Sequence, residues 1–184
     1  GPTTDLFPFV FQLLATKVSR IQWLSSGKSL VVGTAGQEFV ALPSATRVLS
    51  ALTPGLIDYS TVGSSSVQAV RMAGKTVFVG IDSRDFFEYN YDFYTQAYKE
   101  THINSHAQHL LTRGVLEQYN AIIVEPETAV DLAVEDATVQ ELAWMQTSHC
   151  LWAIINYCLV GYTLDEDMKV KGWHRHIFGG KWLG

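Results

Sequence analysis

The sequence predicts an all-β fold: a β-propeller-like array of three- to four-stranded antiparallel meanders, forming part of a propeller. Two observations carry this expectation. Short runs of β-branched, aromatic and other apolar residues recur in three clusters, each bounded by turn residues. Units of this kind repeat so that each sheet can cover the face of its neighbour.

The first cluster spans residues 18–42. Ile21 to Leu24 forms one run, Ser25-Ser26-Gly27-Lys28 a turn, and Leu30 to Val32 a second run; a third follows Ala35-Gly36, making a three-stranded meander. Gly33 and Gly36 supply backbone freedom where the chain must turn. The second cluster spans residues 66–92. Val67 to Met72 is followed by the turn Ala73-Gly74-Lys75, then Thr76 to Val79, and Phe86 to Tyr91 closes the unit. The third cluster spans residues 139–178 and contains Leu142 to Met145, Cys150 to Ile155, Leu159 to Leu164 and Gly172 to His176. Asp165-Glu166-Asp167 turns the chain between its last two strands. Packing of one face of each unit predicts buried positions for Trp23, Phe78, Trp144 and Trp152.

Two segments interrupt the pattern. Residues 103–113 predict a short helix, with Asn104 placed to cap it, Leu110 and Leu111 to pack, and Gly114 to stop it. Residues 119–138 form an acidic insertion carrying Glu125, Glu127, Asp131, Glu135 and Asp136. No Lys or Arg occurs between Arg113 and Lys169, so this half of the chain predicts a negative face.

Composition sets the outer bounds. With 184 residues, 47% hydrophobic and 17% charged, the chain can bury one sizeable core and reads as a single β-rich structural domain over residues 1–184. Closed propellers need about 4 to 8 blades, so three meanders predict a segment of a longer protein. Gly1-Pro2 reads as the scar of affinity-tag removal. No apolar run approaches the ~20 residues that span a bilayer, which predicts no membrane insertion. The net charge of -5 argues against a surface built to neutralise phosphates. Cys150 and Cys158, eight apart in an apolar stretch, read as buried reduced thiols.

The segment from Ile21 to Phe39 resembles a stretch of the bacteriophage tail nozzle (tail tubular, phage stabilisation-like) structural proteins, in which a strand ending in Trp-Leu leads to a strand ending in Gly-Thr-Ala-Gly and then a Glu-aromatic pair; here these are Trp23-Leu24, Gly33 to Gly36 and Glu38-Phe39. The likeness continues through Leu52-Thr53-Pro54, Gly63 to Arg71, Thr76 to Val79 and Glu88 to Asp92. It ends in Trp144 to Gly179, with Trp152 in the blade and Gly172-Trp173-His174-Arg175-His176 at its close. Asn156-Tyr157-Cys158 departs from the family's Asp-Gly turn. The resemblance implies a propeller-bearing structural protein located in the virion tail and made in the host bacterial cytoplasm. It further implies a homo-oligomeric ring, neighbours such as the adaptor or portal and fibres, and DNA passage during ejection without sequence-specific binding.

Candidate chemistry is sparse. Gly27-Lys28-Ser29 lacks the preceding glycine of a P-loop, because Gln22 stands there. His102, His106 and His109 fall at i, i+4 and i+7, so a helix extended back to His102 would place them on one face as a metal site requires. A polar helix face explains the same spacing, and no resident metal or cofactor is expected. His174 and His176 share one strand face, with Trp173 and Arg175 on the other. The acidic insertion and the cluster of Tyr89, Tyr91, Phe93, Tyr94 and Tyr98 raise two alternatives to a structural role, a tail-tip glycan-degrading enzyme and a carbohydrate-binding module. With no nucleophile elbow or activated cysteine motif in view, the expected class is a non-enzymatic structural part.

Overall fold

The computed structural model describes residues 19–27, 29–41, 56–95, 97–108, 138–155 and 158–176. Twelve strands form three four-stranded sheets. The first sheet contains β1 (Ile21–Ser26), β2 (Leu30–Thr34), β3 (Glu38–Ala41) and β4 (Leu56–Ser60). The second contains β5 (Val70–Met72), β6 (Lys75–Val79), β7 (Phe86–Asp92) and β8 (Ala97–His102). The third contains β9 (Val139–Met145), β10 (Cys150–Ile155), β11 (Cys158–Asp165) and β12 (Val170–His176). Every strand pairs antiparallel with its neighbour in sequence, giving three meanders.

The all-β array of meanders is as the sequence predicts, with two additions. The first and second sheets have four strands, not three, because β4 and β8 each add one. Both are edge strands of mixed polarity, so neither shows the apolar run that marks a covered strand.

The predicted helix over residues 103–113 is corrected in its described part. Ile103 to Ala107 form consecutive turns, and His102 belongs to β8. Asn104 is buried, and its carboxamide does not cap a helix. Its Oδ1 accepts from the Phe86 amide at 2.9 Å and its Nδ2 donates to the Arg84 carbonyl at 3.2 Å, fixing the start of β7. Residues 109–113 and the acidic stretch 119–137 lie outside the described residues, as do Gly1-Pro2.

The second sheet is sandwiched between the other two. Along β6, Phe78 joins Trp23, Val31 and Val40 of the first sheet, whereas Val79 joins Leu142, Ala153, Ile155 and Val160 of the third. Val77, two residues before Val79, packs with Leu151, Tyr162 and Leu164 of the third sheet. The period-2 alternation of a strand therefore delivers successive side chains to opposite neighbours. All three are fully buried, so the run is apolar throughout.

Two turns depend on left-handed backbone. Ala73 and Gly74 have φ of 47° and 84°, the two-residue connection that matches strand twist between Met72 and Lys75. Gly63, at φ 77°, also lies so close to the first sheet that a Cβ would sit 2.5 Å from the Ala35 carbonyl oxygen. This closeness lets the linker bond to both sheets. The Ser64 amide donates to the Thr34 carbonyl at 2.7 Å, and the Ser65 amide to the Val79 carbonyl at 2.9 Å. The second and third sheets are joined by Val139 N–H to the Ser83 carbonyl at 2.8 Å and Trp173 Nε1–H to the Ile103 carbonyl at 3.0 Å.

Candidate functional site

The third sheet carries the densest arrangement of chemically capable side chains. On β10, Leu151, Ala153 and Ile155 face the second sheet, so Cys150 and Trp152 project from the opposite face. The antiparallel register sets Cys150 opposite Thr163 and Trp152 opposite Gly161, and on the next strand Gly161 opposite His174. His174 and His176 share this outer face. Trp173 turns inward, its ring 4.9 Å from Phe86 and 4.8 Å from Tyr162.

His174 is the hub of the face. Its Nε2 lies 2.8 Å from Thr163 Oγ1 and 3.7 Å from Cys150 Sγ, and its Nδ1 lies 2.7 Å from His176 Nε2. The Trp152 ring meets His176 edge-on at 4.5 Å and His174 at 6.0 Å. The imidazole occupies the space above Gly161, where a Cβ would fall 2.2 Å from His174 Cε1. Burial, then the neighbouring His176, pushes the His174 pKa down and favours the neutral ring. Burial pushes the Cys150 thiol up, against opposing hydrogen bonds from Thr163 and the Tyr162 backbone. A protonated, buried thiol beside a neutral imidazole is a poor nucleophile. The arrangement therefore suits packing and hydrogen bonding better than covalent chemistry.

The predicted burial of Trp152 needs correction for this reason. Its residue alternates with the inward-facing Leu151 and Ala153, which places the indole on the outer face against its own sheet's histidines. Its Nε1–H is buried with no acceptor among the described residues. Trp23 and Phe78 are in the packed interior as expected, and Trp144 is half-buried against the cluster of Leu151, Tyr162 and Leu164. Cys150 is buried and free; the Cys158 side chain lies outside the described residues.

The first sheet holds the other polar centre. Glu38 is fully buried, with Ser60 and Ser64 hydroxyls donating to its two carboxylate oxygens at 2.6 Å each. Ser60 also contacts Glu100 of β8, which brings a second carboxylate near the first. Burial pushes the Glu38 pKa up, the hydrogen bonds from Ser60, Ser64 and the Gly63 backbone pull it down, and Glu100 adds a further upward push. Glu38 of the Glu-aromatic pair thus positions the segment from Ser60 to Ser64 that leads from the first sheet to the second. Trp23 and Gly33 are paired for a steric reason. A Cβ at Gly33 would lie 2.1 Å from the Trp23 ring, so this glycine, inside β2, clears space for the indole and makes no turn. Gly36 does lie in a bend, where its amide donates to Thr34 Oγ1 at 3.3 Å. A Cβ at Gly172 would meet nothing within 4 Å, and nothing in the structure explains a glycine there.

The three spaced histidines do not assemble on a helix face. His102 stacks on Phe87 at 4.9 Å and places Nε2 3.1 Å from Asp85 Oδ1, while His106 sits in an exposed turn and His109 lies outside the described residues. Among the described residues, no group of three or more His, Cys, Asp and Glu is arranged to hold a metal. No helix among them is long and apolar enough to cross a membrane. Sequence reasoning missed Thr163 and Gly161 as partners of His174, and Ser60, Ser64 and Glu100 as partners of Glu38. Only strand register could have exposed the first set, through the alignment of Gly161 with His174.

A hollow of about 290 Å³ lies at the end of the second sheet, lined by β7, β8 and the turn that joins them.

No family model matches the chain, and no curated protein matches it. Among solved structures it is similar to an auxiliary nutrient binding protein from Bacteroides thetaiotaomicron, at 9% identity and a TM-score of 0.45, over 88% of this chain and 33% of that one. The chain thus spans about a third of the length of that structure.

Proposed function

We propose that this chain is a structural module of a bacteriophage virion, part of the tail nozzle through which DNA leaves, and that it works as a rigid stack of sheets in contact with other subunits. Its localisation is then the virion tail, and its partners are further copies in a ring and adjoining tail proteins such as adaptor, portal and fibres. DNA passes without being gripped, in keeping with the net charge of -5.

One observation carries the reading beyond the sequence resemblance. β10 is apolar at all six positions, Cys-Leu-Trp-Ala-Ile-Ile, the composition of a strand covered on both faces. Its inner face meets the second sheet, and its outer face presents the half-exposed Trp152 ring. A further sheet laid on that face would bury the exposed part of the ring and complete the cover of an apolar strand.

Gold-labelled antibody raised against the chain and applied to virions of its parent phage tests the proposal. Label concentrated at the tail tip is the expected result, and particles without label while the protein stays in the host-cell fraction would overturn it. Light scattering tests the open face: mass should rise above the 20.5 kDa monomer with concentration, and less so in Trp152→Lys. A mass fixed at the monomer would reject the covering role assigned to that face.

A further inference from the structure

We propose that the hollow at the β7–β8 hairpin is a binding subsite for a neutral pyranose unit of a polysaccharide. The site goes beyond the conduit role and stands or falls separately from it.

The lining follows from register. Glu88, Asn90 and Asp92 lie two apart on β7 and share one face; Thr101 pairs with Glu88 and Lys99 with Asn90 across β8, which completes a polar floor. At the hairpin end Phe93 and Tyr94 rise beside it, 72% and 100% exposed, the most solvent-exposed aromatic rings among the described residues. A soluble surface seldom leaves two such rings together without a use.

The backbone of the turn that carries the rings is held, and so is the Phe93 ring. Asp92 Oδ1 accepts from the Tyr94 amide at 2.8 Å and the Thr95 amide at 3.4 Å, closing the turn, and Phe93 packs edge-on against Tyr91 at 5.1 Å. Tyr91 in turn meets Tyr98 at 5.2 Å, anchoring the tip to both strands. On the floor, Lys75 bonds Glu88 Oε1 at 3.0 Å and fixes that carboxylate. A preorganised tip loses little freedom on binding.

The chemistry matches a sugar. A pyranose has an apolar C–H face, which stacks on an aromatic ring, and a rim of hydroxyls that both donate and accept. Asp92 offers acceptor capacity, Lys99 donors, and Asn90 both, beside rings suited to the C–H face. The volume of about 290 Å³ falls just below the ~300–1,000 Å³ typical of small-molecule sites, which suits one or two sugar units of a longer chain. A peptide segment would be served poorly by a floor of four charged or amide side chains, since apolar anchors bind in largely apolar pockets.

Saturation-transfer NMR on the whole chain, with maltotetraose, cellotetraose, mannotetraose and galactotetraose as separate probes, tests the site. At least one probe should receive transfer at its C–H face protons. Tyr94→Ala and Phe93→Ala should each weaken binding about fivefold to tenfold, the scale of one aromatic contact. Lys99→Met should weaken it as well, while Leu24→Ala, an exposed site on the first sheet, should leave it unchanged. Because Tyr94 is fully exposed, the folded state of each variant is checked by its unchanged melting temperature. Absence of transfer from all four probes, or transfer that persists undiminished in both aromatic variants, would overturn the proposal. So would a change of sedimentation coefficient in those variants without a sugar signal, which assigns the rings to protein contact.

Discussion

The second and third sheets are built from similar sequence and end in different surroundings. β6 reads Lys-Thr-Val-Phe-Val and β10 reads Cys-Leu-Trp-Ala-Ile-Ile, both rich in apolar residues. In β6 every residue from Val77 to Val79 is fully buried because a sheet lies on either side. In β10 burial alternates, with Leu151, Ala153 and Ile155 hidden and Trp152 and Ile154 half-exposed. A continuous apolar run thus records how many faces a strand is composed to bury. The match is complete in the middle of the stack and half met at its end.

The largest expected effect separates the two sheets directly. Phe78→Ala should cost about 3–5 kcal/mol, because the ring is fully buried among Trp23, Phe87 and Tyr89 and its loss leaves a cavity between two sheets. Trp152→Ala should cost only about 1–2 kcal/mol, since the ring is only half-buried. Urea unfolding measures both, and equal costs would break the contrast.

A smaller effect sharpens the account of the open face. Gly161→Ala should cost about 1–3 kcal/mol because the new methyl group strikes the His174 ring. On a His174→Ala background most of that cost should vanish, and a double-mutant cycle with no coupling would show that the ring does not lie where described.

The two polar centres should answer pH with opposite slopes. His174 is depressed below its ordinary 6.5, so the unfolded chain takes up the proton first and stability falls as pH drops below 6.5. Glu38 is raised above its ordinary 4.5, so its contribution is full below 4.5 and is lost as pH rises through the folded-state value. His174→Gln should flatten the first slope and Glu38→Gln the second, each read from melting temperature against pH. The smallest effect belongs to Glu166, more than half exposed on its Lys75 bridge. Glu166→Gln should cost less than about 0.5 kcal/mol and lose even that in high salt.

Much of this contrast was legible in the sequence. Alternation and turn residues located ten of the strands, the Ala73-Gly74 hairpin and the inward turn of Trp173 opposite His174 and His176. What stayed hidden depends on contacts between distant residues. β4 and β8 are edge strands whose half-polar residues carry no strong period, so only pairing with β3 and β7 reveals them. Asn104 looked like a helix cap because the side chain that caps a helix is equally fit to hold a strand amide. The Gly33 signal was visible but misread, since a glycine that clears room for Trp23 and one that turns the chain look alike in sequence.

Because each sheet is made only of strands consecutive in sequence, no strand pairing among the described residues waits for a distant part of the chain. Residues 21–60 can close their own ladder as soon as they leave the ribosome, and the fresh sheet then offers Trp23, Val31 and Val40 as a template for Phe78. Growth by successive deposition follows, with each finished layer presenting the surface on which the next condenses. A nascent chain of this design is exposed at one moving front, and its risk of wrong association during synthesis is confined to the layer that has just formed.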